Sequence, residues 1–182
     1  MITKYLPTFK QIEVNNLTGL RTGYMLSQFP AGNDIAKVEL NSGLNFIENG
    51  IFVGLSGDLT IENYNKEEHS QIFVHYTEEL NTFLDEKKYF AIKDEEIPRA
   101  VAMFIGDTIT TNNVDLGEQS YEDLEADTKY SFSITDGVAT LQDEADEDTA
   151  FTGILTSLPN GEDAIELVLV QTPKVVAEVV EG

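Results

Sequence analysis

Short apolar runs separated by turn residues recur along almost the whole chain. Each run is rich in β-branched and aromatic residues, and Gly, Pro, Asn or Asp stand between neighbouring runs, as is typical of short β-strands. The predicted strands are 23–28, 35–40, 51–56, 59–62, 71–77, 88–93, 100–105, 108–111, 129–134, 138–142, 151–155 and 164–171. The pattern predicts an all-β protein, built as an antiparallel β-sandwich or a small barrel.

Turn residues mark where hairpins are expected. Ser56-Gly57-Asp58, Asp136-Gly137 and Pro159-Asn160-Gly161 each divide two predicted strands. Asx-Gly pairs supply the positive φ values of tight hairpins at low steric cost. We therefore expect three local antiparallel pairs.

The alternation of side chains distinguishes half-buried strands from fully buried ones. Tyr130, Phe132 and Ile134 share one face of a strand whose other face is polar. The run 101–105 is instead apolar on both sides, and the run 163–170 becomes so toward its end, which predicts central or interfacial strands.

Helix signals are few. Residues 78–88 carry apolar residues at helical spacing after Thr77, a potential N-cap. Residues 120–127 begin with Ser120-Tyr121-Glu122-Asp123, which fits a capping pattern. The sequence thus predicts one short helix at most beside the strands.

Composition narrows the classes of function. The chain has 182 residues, 33 acidic and 11 basic, giving a net charge of −22, and it contains no Cys. Such acidity argues against binding to nucleic acid or to an anionic membrane. Without Cys there are no disulfides, thiolate catalysis or Cys-based zinc sites, and no apolar run approaches the length of a spanning helix. The absence of Cys is compatible with synthesis in a reducing cytosol. The first residues show no secretory signal.

The charge is distributed unevenly. Residues 1–99 hold nine basic and 15 acidic residues, a net of −6, whereas residues 100–182 hold two basic and 18 acidic residues, a net of −16. A charged stretch with a proline, 93–99, lies between them. We predict an N-terminal β-rich domain at 1–97 and an acidic β domain with a C-terminal tail at 98–182, with a charged loop inside one domain as the alternative.

Candidate catalytic residues are scarce. We interpret His69 as a solvated loop residue and His75 as a hydrogen-bonded structural histidine. No nucleophile elbow or phosphate-binding glycine loop occurs. The acidic run 143–148 is the best sequence candidate for Ca²⁺, but it lacks the glycine and the terminal Glu of an EF-hand loop, so we expect a solvated loop. We predict no enzyme, no catalytic residue, no cofactor and no metal site, and a role in binding or assembly.

Two parts of the chain resemble phage capsid decoration proteins, also called auxiliary or cement proteins. One comprises Ile72–Leu80, the stretch 88–92 and the stretch 98–113; the other runs from the hairpin 134–141 to 148–154. The resemblance covers about residues 70–170 and includes no catalytic or metal motif. It implies a virion structural protein that decorates the exterior of an icosahedral head and binds the major capsid protein. The protein would be made in the host cytoplasm and would form a homo-oligomer, with a trimer favoured.

The charge asymmetry suggests which part would dock. Burying the acidic half would desolvate carboxylates without cationic partners, so we expect the N-terminal half to face the capsid through Lys4, Tyr5, Leu6, Phe9, Lys10 and Ile12. The tail 172–182 is apolar enough to join neighbouring copies instead. Three other interpretations stay open: a phage tail, neck or receptor-binding module; a β-sandwich enzyme or inhibitor that acts on carbohydrate; and an acidic mimic of DNA.

Overall fold

The computed structural model describes residues 10–35, 38–39, 45–76, 91–93 and 97–171. These ranges contain fifteen β-strands, one α-helix and one short 3-10 helix. The strands are β1 (Ile12–Asn16), β2 (Met25–Leu26), β3 (Val38–Glu39), β4 (Asn45–Glu48), β5 (Phe52–Leu55), β6 (Ile61–Asn63), β7 (Phe73–His75), β8 (Ala91–Lys93), β9 (Ala100–Ala102), β10 (Thr108–Thr111), β11 (Val114–Asp115), β12 (Tyr130–Thr135), β13 (Val138–Gln142), β14 (Phe151–Ser157) and β15 (Asp163–Leu169). The helices are α1 (Thr18–Thr22) and the 3-10 helix Tyr121–Asp123.

The strands form three sheets, which confirms the predicted all-β class. A seven-stranded sheet has the order β1-β10-β15-β14-β12-β13-β11, a five-stranded sheet the order β2-β9-β7-β5-β6, and a small sheet the order β3-β4-β8. All pairs of these strands are antiparallel except β11 with β13. The strand β15 lies between β10 and β14, so the prediction that it is central is confirmed.

The five-stranded sheet is buried on both faces. In β5, Phe52 contributes to one hydrophobic core and its neighbour Val53 to the other; Val74 and Phe73 of β7 divide in the same way. Because successive side chains of a strand point to opposite faces, a continuous apolar run is what such a central layer requires. The first core is shared with the seven-stranded sheet, which makes these two sheets a sandwich.

The predicted hairpins connect the strands as expected. Asp136 and Gly137 both have positive φ, 49° and 78°, and join β12 to β13. This turn also contacts the five-stranded sheet, because the carbonyl oxygen of Gly137 accepts a hydrogen bond of 2.7 Å from the backbone N–H of Phe52. The hairpin therefore ties the two sheets of the sandwich together at one end.

The helix predictions have different outcomes. The segment 78–88 lies outside the described residues. In 120–127, only Tyr121–Asp123 is helical, and Ser120 donates to Asp123 through both its backbone N–H and its hydroxyl, at 2.8 and 2.7 Å. The capping pattern is thus confirmed. Within the described ranges, no helix is long and apolar enough to cross a membrane.

Candidate functional site

A polar cleft of about 520 Å³ lies where the end of β6 and the loop after it meet the β12–β13 hairpin. The hydrogen bond between Gly137 and Phe52 holds the hairpin against β5, which pairs with β6. The cleft is lined by Asp34, Glu62, Asn63, Tyr64, Asn65, Lys66, Glu68, Ser133, Ile134, Thr135, Asp136, Gln142 and Asp148.

The lining of this cleft is strongly acidic. It contains five carboxylates and a single lysine, Lys66. Lys66 forms an ion pair with Asp148, and this hydrogen bond raises the pKa of the Lys66 ammonium group. Both side chains are partly exposed, so the pair adds little to stability. The excess of negative charge makes the cleft attractive to cations.

The loop after β6 is held in a tight turn by Asn65. The side-chain oxygen of Asn65 accepts the backbone N–H of Glu67 at 3.0 Å, and its carbonyl oxygen accepts those of Glu68 and His69 at 3.2 and 2.9 Å. The backbone N–H of Asn65 in turn donates to Nδ1 of His69 at 3.0 Å. The turn thereby fixes the orientation of the His69 ring.

The interpretation of His69 as a solvated loop residue is wrong. Its side chain is only 3 % exposed. It occupies space that Gly54 leaves open on β5, since a Cβ built on Gly54 would lie 2.2 Å from Cγ of His69. A glycine inside an apolar strand is a sign of such a close approach. Gly54 was thus the sequence signal that some group packs closely against β5, although it does not say which one.

His69 meets two carboxylates at the edge of the cleft. One of its ring nitrogens and one carboxylate oxygen each from Glu62 and Glu68 lie within 4.8 Å of one another. Because Nδ1 accepts the N–H of Asn65, the hydrogen of the neutral imidazole resides on Nε2. Within the described part of the chain, neither this buried Nε2 nor the buried hydroxyl of Tyr64 has a hydrogen-bond partner.

This cluster of Glu62, Glu68 and His69 was not predicted from the sequence. Glu62 is the middle residue of β6, whereas Glu68 and His69 lie in and after a turn six and seven positions later, a spacing that belongs to no known ligand motif. Only the turn at Asn65 and the gap above Gly54 bring the three side chains together. These are properties of the folded chain.

The predicted acidic loop is solvated as expected. Residues 143–147 are exposed and Asp148 is partly exposed. Asp146 accepts hydrogen bonds from Gln142 and from the backbone N–H of Asp148, and these lower the pKa of its carboxyl group. That the loop needs no metal stays a prediction.

The prediction for His75 is confirmed. The side chain is completely buried, and its Nδ1 lies 2.7 Å from the carbonyl oxygen of Glu48. A carbonyl oxygen only accepts, so Nδ1 is the donor. His75 is thus a hydrogen-bonded structural histidine.

The structure describes only the end of the expected docking segment. Ile12 is 6 % exposed and belongs to the first core. Lys10 is half-buried; its backbone N–H donates to Glu48 at 2.9 Å and its Nζ donates to the carbonyl oxygen of Asn112 at 3.2 Å. The docking role stays a prediction for all six residues, of which four lie outside the described ranges: Lys4, Tyr5, Leu6 and Phe9.

Comparisons with known proteins return no relative: no family model, curated protein or solved structure matches this chain.

Proposed function

We propose that this chain is a virion structural protein that binds the exterior of an icosahedral phage head and decorates or stabilises it. The proposal rests on the resemblance of its strand and turn segments to capsid decoration proteins. It assigns no catalytic residue and no cofactor, and its partner is the major capsid protein. A homo-oligomer, with a trimer favoured, follows from the same resemblance.

An exposed apolar surface is the observation that supports docking. Tyr24, Ile105 and Val170 are 50, 67 and 42 % exposed. The ring centroids of Tyr24 and Phe104 are 6.1 Å apart, and the backbone N–H of Gly106 donates to Leu169 at 2.8 Å. These contacts gather Tyr24, Phe104, Ile105 and Val170 at one end of the sandwich, which we call the apolar end.

Exposed apolar side chains grouped in this way are typical of protein interfaces. A lattice offers many equivalent copies of one site, so a homo-oligomer that contacts several of them at once can bind stably although the apolar contact of each chain is modest. The apolar end differs from the segment predicted from charge, because Lys10 contacts Asn112 beyond one end of β10 while Ile105 precedes its other end. An experiment on capsids can compare the two.

Co-sedimentation with purified phage heads that lack the protein tests the proposal. We expect the wild-type chain to sediment with the heads and Ile105→Glu to bind at least tenfold more weakly. The matched control is Leu59→Glu, since Leu59 is 57 % exposed at the β5–β6 turn, away from the apolar end. A chain lacking residues 1–9 retains all of β1 and tests the N-terminal anchor.

Failure of the wild-type chain to sediment with heads would refute the proposal. Sedimentation with isolated tails in place of heads would favour the tail or neck alternative. If the chain lacking residues 1–9 fails to bind while Ile105→Glu binds normally, docking through the N-terminal segment is correct and docking through the apolar end is wrong.

A further inference from the structure

Glu62 and Glu68 place two carboxylates close together at the edge of an acidic cleft. Their oxygens lie within 4.8 Å of each other and of a His69 ring nitrogen. Calcium–oxygen distances are about 2.3–2.6 Å, so one Ca²⁺ can contact two oxygens that are up to about 5 Å apart. A cation between the two groups would also remove their mutual repulsion.

The buried imidazole of His69 provides the second, independent observation. Its Nδ1 is occupied by the N–H of Asn65, and its Nε2 therefore carries hydrogen. This Nε2 is buried without a hydrogen-bond partner among the residues described. A buried donor in that state calls for an acceptor. The carboxylates of Glu62 and Glu68, whose oxygens lie within 4.8 Å of a nitrogen of this ring, are the acidic groups clustered with it.

The tautomer of His69 decides which class of cation the cluster fits. A ring nitrogen that bears hydrogen has no lone pair for a metal, so binding through Nε2 would require breaking the Asn65 contact. The cluster therefore offers no free ring nitrogen to Zn²⁺ or Cu²⁺, which favour imidazole ligands. Ca²⁺ and Mn²⁺ take carboxylate oxygens and water, and a ligating carboxylate is commonly oriented by a donor behind it.

We propose that Glu62 and Glu68 bind a hard divalent cation such as Ca²⁺ through their carboxylates, with Nε2–H of His69 as the hydrogen-bond donor that orients one of them. His69 is thus a positioning residue. The cleft supplies an attractive field and room for the waters that complete the coordination shell. This inference is independent of the proposed role on the capsid.

Isothermal titration calorimetry of the full chain with CaCl₂ in 150 mM NaCl tests the site. We expect saturable binding at one site per chain, and at least a tenfold loss of affinity in Glu62→Gln and in Glu68→Gln. Neither residue is buried, so both variants should fold. The matched control is Glu67→Gln, which removes one charge from the same turn but lies outside the cluster.

Two results would overturn the proposal. One is the absence of saturable Ca²⁺ binding up to 5 mM. The other is an equal loss of affinity in Glu67→Gln, which would mean that the net charge of the chain collects cations without a defined site.

The role of His69 has its own measurement. In ¹⁵N-resolved NMR spectra of the imidazole, we expect Nε2–H to be present both without and with Ca²⁺, and the Asn65 amide to keep its hydrogen bond. If cation binding deprotonates Nε2, or if Zn²⁺ binds more tightly than Ca²⁺ with loss of the Nε2–H signal, His69 is itself a ligand and the proposed division of roles is wrong.

Discussion

His75 is a buried titratable group in the middle of the five-stranded sheet. Burial removes the imidazole from water, which disfavours its charged form and lowers its pKa to about 4. The hydrogen bond to the Glu48 carbonyl counteracts this only in part. The unfolded chain, in which the pKa of histidine is about 6.5, therefore takes up a proton first as the pH falls.

This difference predicts acid sensitivity. The contribution of His75 to the free energy of unfolding is complete above pH 6.5 and is lost as the pH falls towards 4. We expect a loss on the order of 2 kcal/mol between pH 7.5 and pH 4.5. In His75→Gln this part of the pH dependence should vanish, whatever the variant's stability at pH 7.5. Urea unfolding at a series of pH values measures it.

Other groups also titrate between pH 7.5 and pH 4.5. The comparison of the wild type with His75→Gln separates their contribution from that of His75. Burial raises the pKa of Glu48, and a raised carboxyl pKa stabilises the fold as the pH falls, opposite in sign to His75. Parallel curves for the wild type and His75→Gln would show that His75 does not cause the acid sensitivity.

The two histidines illustrate what a sequence reveals about single residues. His75 lies within an apolar run, and that run alone predicts a buried, hydrogen-bonded side chain. His69 stands among Lys66, Glu67 and Glu68, and such neighbours predict exposure. Its burial depends on a gap above a glycine fifteen positions earlier, a contact that local patterns do not encode.

At the scale of elements, α1 is held by a distant residue. Asp107 accepts hydrogen bonds from the backbone N–H and the hydroxyl of Thr18, at 2.9 and 2.6 Å, and from the backbone N–H of Phe104 at 3.0 Å. The preceding residue, Leu17, provides no side-chain cap. Asp107 therefore replaces the missing N-cap and also fixes the turn between β9 and β10.

We expect Asp107→Ala to destabilise the protein by about 2–4 kcal/mol, because it leaves several buried or partly buried donors without their acceptor. Asp123→Ala is the comparison. Asp123 also accepts two hydrogen bonds, but it lies on the exposed surface, where water can replace them, so its loss should destabilise the protein much less than the loss of Asp107. Thermal unfolding measures both. Equal effects would mean that burial of the Asp107 network contributes nothing.

The sequence predicted the strands that follow regular patterns and missed the elements that depend on partners. Each of the twelve predicted strand regions overlaps an observed strand. The missed strands are β1, β4 and β11; β1 ends in Asn15-Asn16 and lies at a sheet edge, where a polar sequence is tolerated. The helix α1 contains Gly19, whose missing side chain allows it to approach β9: a Cβ there would lie 2.3 Å from the Ala102 carbonyl oxygen.

At the scale of the whole molecule, the β12–β13 turn joins the two large sheets. Gly137 has a φ of 78°, and a Cβ there would lie 2.6 Å from Oδ1 of Asn63 and 2.9 Å from Ile51. Both the backbone conformation and the contact with the other sheet therefore require glycine.

We expect Gly137→Ala to lower the free energy of unfolding by about 2–4 kcal/mol, as the sum of left-handed strain and steric overlap. Gly161→Ala is a matched control: its φ is 83°, but its Cβ would face open space. It should lose only the strain, about 1–2 kcal/mol. Urea denaturation gives both values. If the two variants lose the same amount, contact between the sheets at this turn is not stabilising.

The strand pairs also cross the predicted boundary between residues 97 and 98. β1 pairs with β10, and β2 and β7 pair with β9. The hydrophobic core shared by the two large sheets likewise contains residues from Ile12 to Leu169. The division into two domains stays a prediction. Separating the two halves at this boundary would remove these strand pairs.

The pairing of β1 with β10 has a consequence for synthesis on the ribosome. Ile12 lies opposite Thr111, so the first strand leaves the ribosome 99 residues before its partner. At about 5–20 residues per second, that delay is roughly 5–20 s. The seven-stranded sheet can be completed only after β15 has emerged as well. Nascent chains will therefore carry an unpaired strand for seconds, and holdase chaperones that cover such strands should increase the yield of folded protein.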